Sequence, residues 1–315
     1  MDIHTANKRA LFPRLRTFDR GVLATDATFH CYHPLNDLVG REAIECGFLG
    51  PLLRAFPDIE RRDDFLLAGA FQGRNWVASA GHYCGTFSGP FLRIPPTGGV
   101  AWLRFVEVFA VADGRITVGY VHLDLVDLMR QAGVSPFAQS LGADPLVPGP
   151  RNHDAILLDP QDPAAGEASL ALMQAMGQGL GSYDGRSLDS MGMERFWSEQ
   201  MLWYGPCGIG TNRGIKGFQQ FHQAPFLHAF PDRVGGNHQA RFGDGVYVLS
   251  SGWPSVRATF AGHWLGQAPT GAPITMRVTD IWRREGDRLV ENWVLIDIPD
   301  VMRQAGRDLF AHLPG

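Results

Sequence analysis

Several absences narrow what this 315-residue chain can be. It has no apolar stretch long enough to cross a bilayer as a helix. Its first residues, MDIHTANKRALFPRL, lack the apolar segment of a secretory signal. Cysteine is scarce. Cys31, Cys46, Cys84 and Cys207 are scattered with no C-x-x-C pair, so reduced thiols in a cytoplasmic protein are expected. Charge is sparse as well, at 19% of residues, with a net charge of -4, a pI near 6.2 and no Lys/Arg-rich run. The basic face that nucleic-acid binding requires is therefore missing. No G-x-S-x-G motif supports a hydrolase triad. The glycines of Gly208-Ile209-Gly210-Thr211-Asn212-Arg213-Gly214 lack the G-x-G-x-x-G spacing and the strand-to-helix setting of a nucleotide loop. His30 and His33 have no cysteine or carboxylate at ligand spacing, so no metal site is expected. What remains is a globular composition, 45% hydrophobic, long enough for two ordinary domains.

What the chain does contain is a repeat. Val121 to Gly133 reads VHLDLVDLMRQAG, and Val294 to Gly306 reads VLIDIPDVMRQAG. Upstream, LVGREAIECGFLGPLLRAFPD (Leu38 to Asp58) matches NRGIKGFQQFHQAPFLHAFPD (Asn212 to Asp232). Arg104 pairs with Arg277, Thr97 with Thr270 and Asp124 with Asp297. A duplicated domain of roughly 130 to 150 residues explains this. The expected division is a first domain over 1–140, a linker with a helix over 141–183, and a second domain over 184–315.

Each copy has the same order of signals. Apolar residues at roughly helical spacing (Ile44, Phe48, Leu52; Phe218, Phe221, Phe226) predict a helix that stops at F-P-D. Strand-like sequence follows, then a P-T-G turn, then two β-rich runs around an Asp-Gly or Gly-Asp turn. Helices first and an antiparallel sheet after them predict an α+β fold. In the linker, Leu170, Met173, Met176 and Leu180 form one stripe of a helix over 164–180, a pattern that usually faces a core.

F-P-D after a helix, Gly-Pro-Phe-Leu-Arg-Ile-Pro-Pro-Thr-Gly over Gly89 to Gly98, and D-x-x-x-L-M-R-Q-A-G at a strand end resemble the SnoaL-like polyketide cyclases of the nuclear transport factor 2 superfamily. The resemblance covers both copies. It implies two tandem cone-shaped domains, each a curved antiparallel sheet wrapped around helices with a deep apolar pocket. It also implies ring closure by intramolecular aldol condensation without metal or cofactor, a pocket aspartate that moves the proton, and pairing of domains through their sheets as an intrachain pseudo-dimer. By motif the aspartate falls on Asp124 and Asp297. The family's G-T-H-T-G is G-T-F-S-G in copy one, with Phe87 at the histidine position and His82 just upstream. In copy two it is G-H-W-L-G, which offers His263.

Strand alternation puts Tyr120, His122 and Asp124 on one face, and Trp293, Leu295 and Asp297 on the matching one. A carboxylate among aromatic and apolar groups gains a raised pKa, which suits proton abstraction next to a carbonyl. The competing reading is helix capping, a duty for which Asp127 and Asp300 read as better placed. Arg277 can hold an enolate or carboxylate, or bridge the domains. Trp203-Tyr204-Gly205-Pro206 matches Cys31-Tyr32-His33-Pro34, and these aromatics suit either a ring substrate or a packed plug. The candidate catalytic residues are thus Asp297, His263, Tyr204 and Asp124. The candidate binding residues are Trp203, Trp264, Trp293, Arg277, Tyr32, His82, His122 and Tyr120. Copy two is expected to hold the more active pocket. The expected function is cofactor-free proton transfer (cyclase, isomerase or lyase) on a small apolar carbonyl or aromatic compound. A non-catalytic small-molecule binder and a protein-interaction module are the alternatives, and a homo-oligomer is compatible with each.

Overall fold

A computed structural model describes residues 2–144, 147–311 and 313. An N-terminal helix, α1 (Ile3–Arg16), is capped by the Asp2 side chain on the Thr5 N–H. The first copy then runs β1 (Leu23–Cys31), β2 (Asp37–Val39), α2 (Arg41–Ile44), α3 (Gly50–Ala55), β3 (Glu60–Phe71), β4 (Arg74–Thr86), β5 (Val100–Ala112), β6 (Arg115–Leu123) and α4 (Leu125–Gln131). The linker helix is α5 (Pro163–Gly181). The second copy repeats the list as β7 (Trp197–Tyr204), β8 (Thr211–Arg213), α6 (Gly214–Phe218), α7 (Ala224–Ala229), the short β9 (Val234–Gly235), β10 (His238–Asp244), β11 (Tyr247–Thr259), β12 (Pro273–Glu285), β13 (Arg288–Ile296) and α8 (Ile298–Gln304).

The sheets have matching strand orders, β2-β1-β6-β5-β4-β3 and β8-β7-β13-β12-β11-β10. One feature differs from the sequence expectation. Each copy begins with a strand rather than a helix, and that strand pairs parallel to the copy's last strand. β1 and β7 thereby cover the outer edges of β6 and β13, which would otherwise expose unpaired backbone groups. The helix before F-P-D is interrupted in both copies at the same place, by π turns at Glu45–Leu49 and Gln219–Gln223. Pro51 and Pro225 follow directly. Proline donates no N–H and crowds the carbonyl four residues back, so the local pattern loosens to i→i+5: Gly50 N–H bonds Glu45 and Ala224 N–H bonds Gln219.

Each sheet has two apolar faces. The inner face packs on its own helices. The outer faces pack on each other, with Phe65, Val108 and Tyr120 from one sheet meeting Phe242, Ile281, Trp293 and Leu295 from the other in one buried cluster. At Gly69 a Cβ would stand 2.5 Å from the Phe242 side chain, so this glycine allows the sheets to approach closely. The linker protects both sheet edges. Leu66 N–H bonds Ala155 and Leu157 N–H bonds Leu66 beside β3, while Leu141, Gly142 and Ala143 bond the Gly208–Thr211 segment.

α1 ties the two copies together. Lys8 is buried and pairs at 2.7 Å with Asp244 of β10, whose carboxylate also accepts the Ala68 N–H at 2.8 Å. Lys8→Met keeps the volume but strands a buried carboxylate. It is expected to cost about 3 kcal/mol, read as a lowered urea midpoint.

Candidate functional site

Asp124 and Asp297 stand at the ends of β6 and β13, and both cap the helix that follows. Asp127 N–H donates to Asp124 Oδ1 and Asp300 N–H to Asp297 Oδ1, each at 3.2 Å. The expectation that Asp127 and Asp300 cap these helices is therefore corrected. They lie one turn in, where each binds an arginine and a glutamine of its own helix: Arg130 and Gln131, or Arg303 and Gln304. A cap must sit at the last non-helical residue, and the helices already begin at Leu125 and Ile298.

The second oxygen of each capping aspartate reaches across to the other domain. Cys207 N–H donates to Asp124 Oδ2 at 2.9 Å, and His33 N–H donates to Asp297 Oδ2 at 3.0 Å. The Cys-Tyr-His-Pro and Trp-Tyr-Gly-Pro loops are thus reciprocal plugs. Arg104 donates to the carbonyls of Tyr204 and Gly205, and Arg277 to that of Cys31 and to Asp297. Tyr32 OH donates to the carbonyls of Arg277 and Leu295. Burial pushes the Asp297 carboxyl up to about 7, against the pull of Arg277, and pushes Asp124 up to about 6.

The other sequence candidates separate into three places. Trp253 gathers Tyr32, Tyr120, His122 and Arg277 around its ring within the joint. His122 is held by the Val106 carbonyl, and burial pushes its pKa down to about 3, so it stays neutral. Tyr204 also lies between the sheets, stacked on Trp293 with its hydroxyl on Glu291 at 3.2 Å, and Trp293 Nε1 donates to Pro148. Trp203 and Trp264 sit in the second domain's core, against His222 and against Phe226 and Phe230. The last two are peripheral. His82 is 3.6 Å from Asp64, and His263 is exposed in the loop after β11 rather than flanking a strand.

None of these residues lines a large cleft of 1490 Å³ on the inner face of the second sheet. Its walls come from β10, β11, β12, α5 and α7. Arg241, Ser250 and Asp280 are register partners on three adjacent strands, so their side chains form a row. A β-bulge between His238 and Ala240 turns His238 onto the same face. His238 Nδ1 lies 3.2 Å from Ser250 Oγ, and Arg241 donates to His238 Nε2 and, at 3.3 Å, to Ser250 Oγ. Burial, with Arg241 alongside, pushes His238 down to about 4, so it accepts as a neutral imidazole. Among the described residues Asp280 has one bonded partner, Asn292 Nδ2 at 3.4 Å, and burial pushes its carboxyl up to about 7. Met173 and Met176, read from the sequence as a core stripe, are buried and also line this cleft.

The first copy carries the same row in a closed form. Leu66, Ser79 and Glu107 take the places of Arg241, Ser250 and Asp280. A bulge between Asp63 and Phe65 again turns a side chain inward, here an acid in place of His238, and Ser79 Oγ donates to Asp63 at 2.5 Å. Arg61 then fills the cone, paired with Glu107 at 2.6 Å and Asp63 at 2.8 Å, while Tyr83 OH donates to Glu107. Two spaces border it, a void of 40 Å³ and an open groove of 640 Å³ between the start of β3 and α1. In copy two the segment corresponding to Arg61 reads Val234-Gly235-Gly236, and no side chain fills the space. The stretch before the first strand is also longer, Ser182 to Phe196 against Thr17 to Val22, and Tyr183, Arg186 and Leu188 from it form the cleft rim. The sequence did hold a signal for Asp280. An acid stands three residues after the paired arginine in both copies (Arg104/Glu107, Arg277/Asp280), in the middle of a strand.

Among the described residues no group of three His, Cys, Asp or Glu side chains could hold a metal ion, and no helix is long and apolar enough to cross a membrane. No curated protein matches the chain. Solved structures do. A protein of Jannaschia sp. CCS1, provisionally named a SnoaL-like polyketide cyclase, is 22% identical over 43% of this chain and 97% of its own, with a TM-score of 0.36. A provisional polyketide cyclase of Acidithiobacillus ferrooxidans is 20% identical over 45% and 96%, with a TM-score of 0.36. IdmH of Streptomyces antibioticus, also provisionally a polyketide cyclase, is 24% identical over 41% and 98%, with a TM-score of 0.32. The sequence pattern of the SnoaL-like polyketide cyclases matches twice, over residues 16–132 and 183–305. The chain belongs to the SnoaL-like polyketide cyclase family, as a tandem of two such domains.

Proposed function

We propose that the second domain catalyses a cofactor-free proton transfer, of cyclase, isomerase or lyase type, on a small carbonyl compound bound in its cleft, with Asp280 as general acid/base. The observation that carries this reading is the Asp280 carboxyl itself. It stands on the wall of a large cleft, no cation bonds it, and burial brings its pKa to about 7. Arg241 and the row beside it supply donors for the negative charge that develops on a carbonyl oxygen when a neighbouring proton is removed. Trp282 and Phe226 supply apolar wall. The filled cone of the first domain supports a structural role for that copy.

The test is a pH profile. The base is the deprotonated form, so kcat/KM should fall about tenfold per pH unit below about pH 7 and reach a plateau above it. A profile flat from pH 5 to 9 contradicts the assignment. A competing assignment places the base at Asp297, whose carboxyl is also raised to about 7 but is enclosed by a helix cap, a plug loop and Arg277. The substitutions discussed below separate the two.

A further inference from the structure

The two cones differ in charge as well as in volume. On the inner face of the first sheet, one cation, Arg61, faces two acids, Asp63 and Glu107, and is bonded to both. The second cone reverses the balance. Arg241 stands where the first copy has Leu66, a fully buried core residue. Arg233 follows the second F-P-D where Ile59, packed against the core, follows the first. Among the described residues Asp280 is the only acidic one lining the cleft, whereas Arg233, Arg241 and the rim residue Arg186 all line it.

Neither half-buried arginine has a carboxylate bonded to it among the described residues. Arg233 lies over the Tyr183 ring at 5.7 Å, and Tyr183 is its one electrostatic neighbour. Arg241 is bonded to Ser250 Oγ and His238, with the Asp280 carboxylate near enough to act on its charge but not bonded to it. A third donor is unused too. The Trp282 indole N–H lines the same cleft, is 7% exposed as a residue and has no partner. Partly desolvated cations without a bonded carboxylate and a buried N–H without an acceptor among the described residues leave a cost that a ligand oxygen can relieve.

We propose that this cleft selects a small organic acid, with its anionic group bound by Arg233 and Arg241 and its flat apolar body against Met173, Met176, Phe226 and Trp282. The two arginines replace core aliphatics of the sister copy, so they are additions to the scaffold and are not needed to build it. The inference uses the same cleft as the proton-transfer reading, but the two fail separately.

The test uses two fluorescent dyes that share one frame. Anilinonaphthalene sulfonate carries an anionic group and N-phenylnaphthylamine does not. The full-length protein should bind the sulfonate at least about tenfold more tightly than the neutral dye, as expected for one bond to a charged group. Arg233→Ile and Arg241→Leu, which install the first copy's residues, should each remove most of that preference while leaving the neutral dye bound. Arg233→Gln at the cleft mouth repeats the test without altering the sheet. Gly177→Phe should block both dyes, since Gly177 lines the cleft and a Cβ there meets nothing within 4 Å. Equal affinity for the two dyes, or a sulfonate preference that survives the arginine substitutions, overturns the proposal. Asp280→Asn should keep or increase the preference, because it removes the one competing anion. Turnover retained in that variant with dye selection intact rejects the base and keeps the anion site, whereas turnover lost there with no sulfonate preference in the parent protein keeps the base and rejects the anion site.

Discussion

Asp280→Asn is expected to lower turnover by about 100- to 10,000-fold, the usual contribution of a positioned general acid or base. The replacement is nearly isosteric. Its bond with Asn292 is long at 3.4 Å and survives with the amide oxygen as acceptor, and no cation is bonded to the carboxylate that would be left unpaired. Folding should therefore be unaffected or slightly favoured. The folded-state pKa of Asp280 is raised to about 7, so its ionised form costs stability, and that cost grows as pH rises from roughly 4 to 7. Above pH 7 the variant is free of it. Single-turnover kinetics, with ligand binding measured in parallel, separate lost chemistry from lost affinity. Asp297→Asn is the comparison. It alters the helix cap and the domain joint but not the cleft wall. Full loss of turnover in Asp297→Asn, with Asp280→Asn still active, would place the chemistry at the joint instead.

Arg61→Met should have the largest effect on stability, about 3–5 kcal/mol, seen as a drop in the urea midpoint of the first domain. Arg61 is 6% exposed and holds two buried carboxylates, Asp63 and Glu107. Burial works against its charge, but the two carboxylates outweigh that and keep it firmly charged. The aromatic faces of Phe105, at 4.4 Å, and Tyr83 complete its surroundings. Removing the guanidinium leaves Asp63 and Glu107 with hydroxyl donors only. A second variant controls for lost packing. Arg61→Met combined with Glu107→Gln strands one charge fewer and should recover part of the loss. No recovery would mean that Arg61 contributes volume rather than charge. The result bears on function as well, because Arg61 is what closes the first cone where the second is open.

Much of the fold was legible because it depends on periodicity. The doubled MRQAG phrase, the F-P-D helix stops and the strand alternation are local patterns, and the tandem α+β domains follow from them. Alternation also grouped Tyr120 with His122 and Asp124, and Trp293 with Leu295 and Asp297, correctly. It did not say which face was which. A strand of period two has two sides, and here both are buried: one against helices, the other against a second sheet. The aromatic side that reads like a pocket is the domain joint. The opening strands β1 and β7 were missed because their pairing is parallel and spans a whole domain.

By itself the sequence determined that there are two copies, what fold each takes, and that an acid follows the paired arginine in each central strand. Only the tertiary structure decided which carboxylate faces open space. Asp124 and Asp297 are bonded by loops some 83 and 264 residues away in the chain. Asp280 owes its setting to a bulge in β10, to glycines where the sister copy has Arg61, and to a rim contributed by the stretch before β7. Burial and bonding are set by what the rest of the chain places around a side chain. Two sites that read alike along the strand can therefore become, in one case, the lock between domains and, in the other, the wall of a cleft.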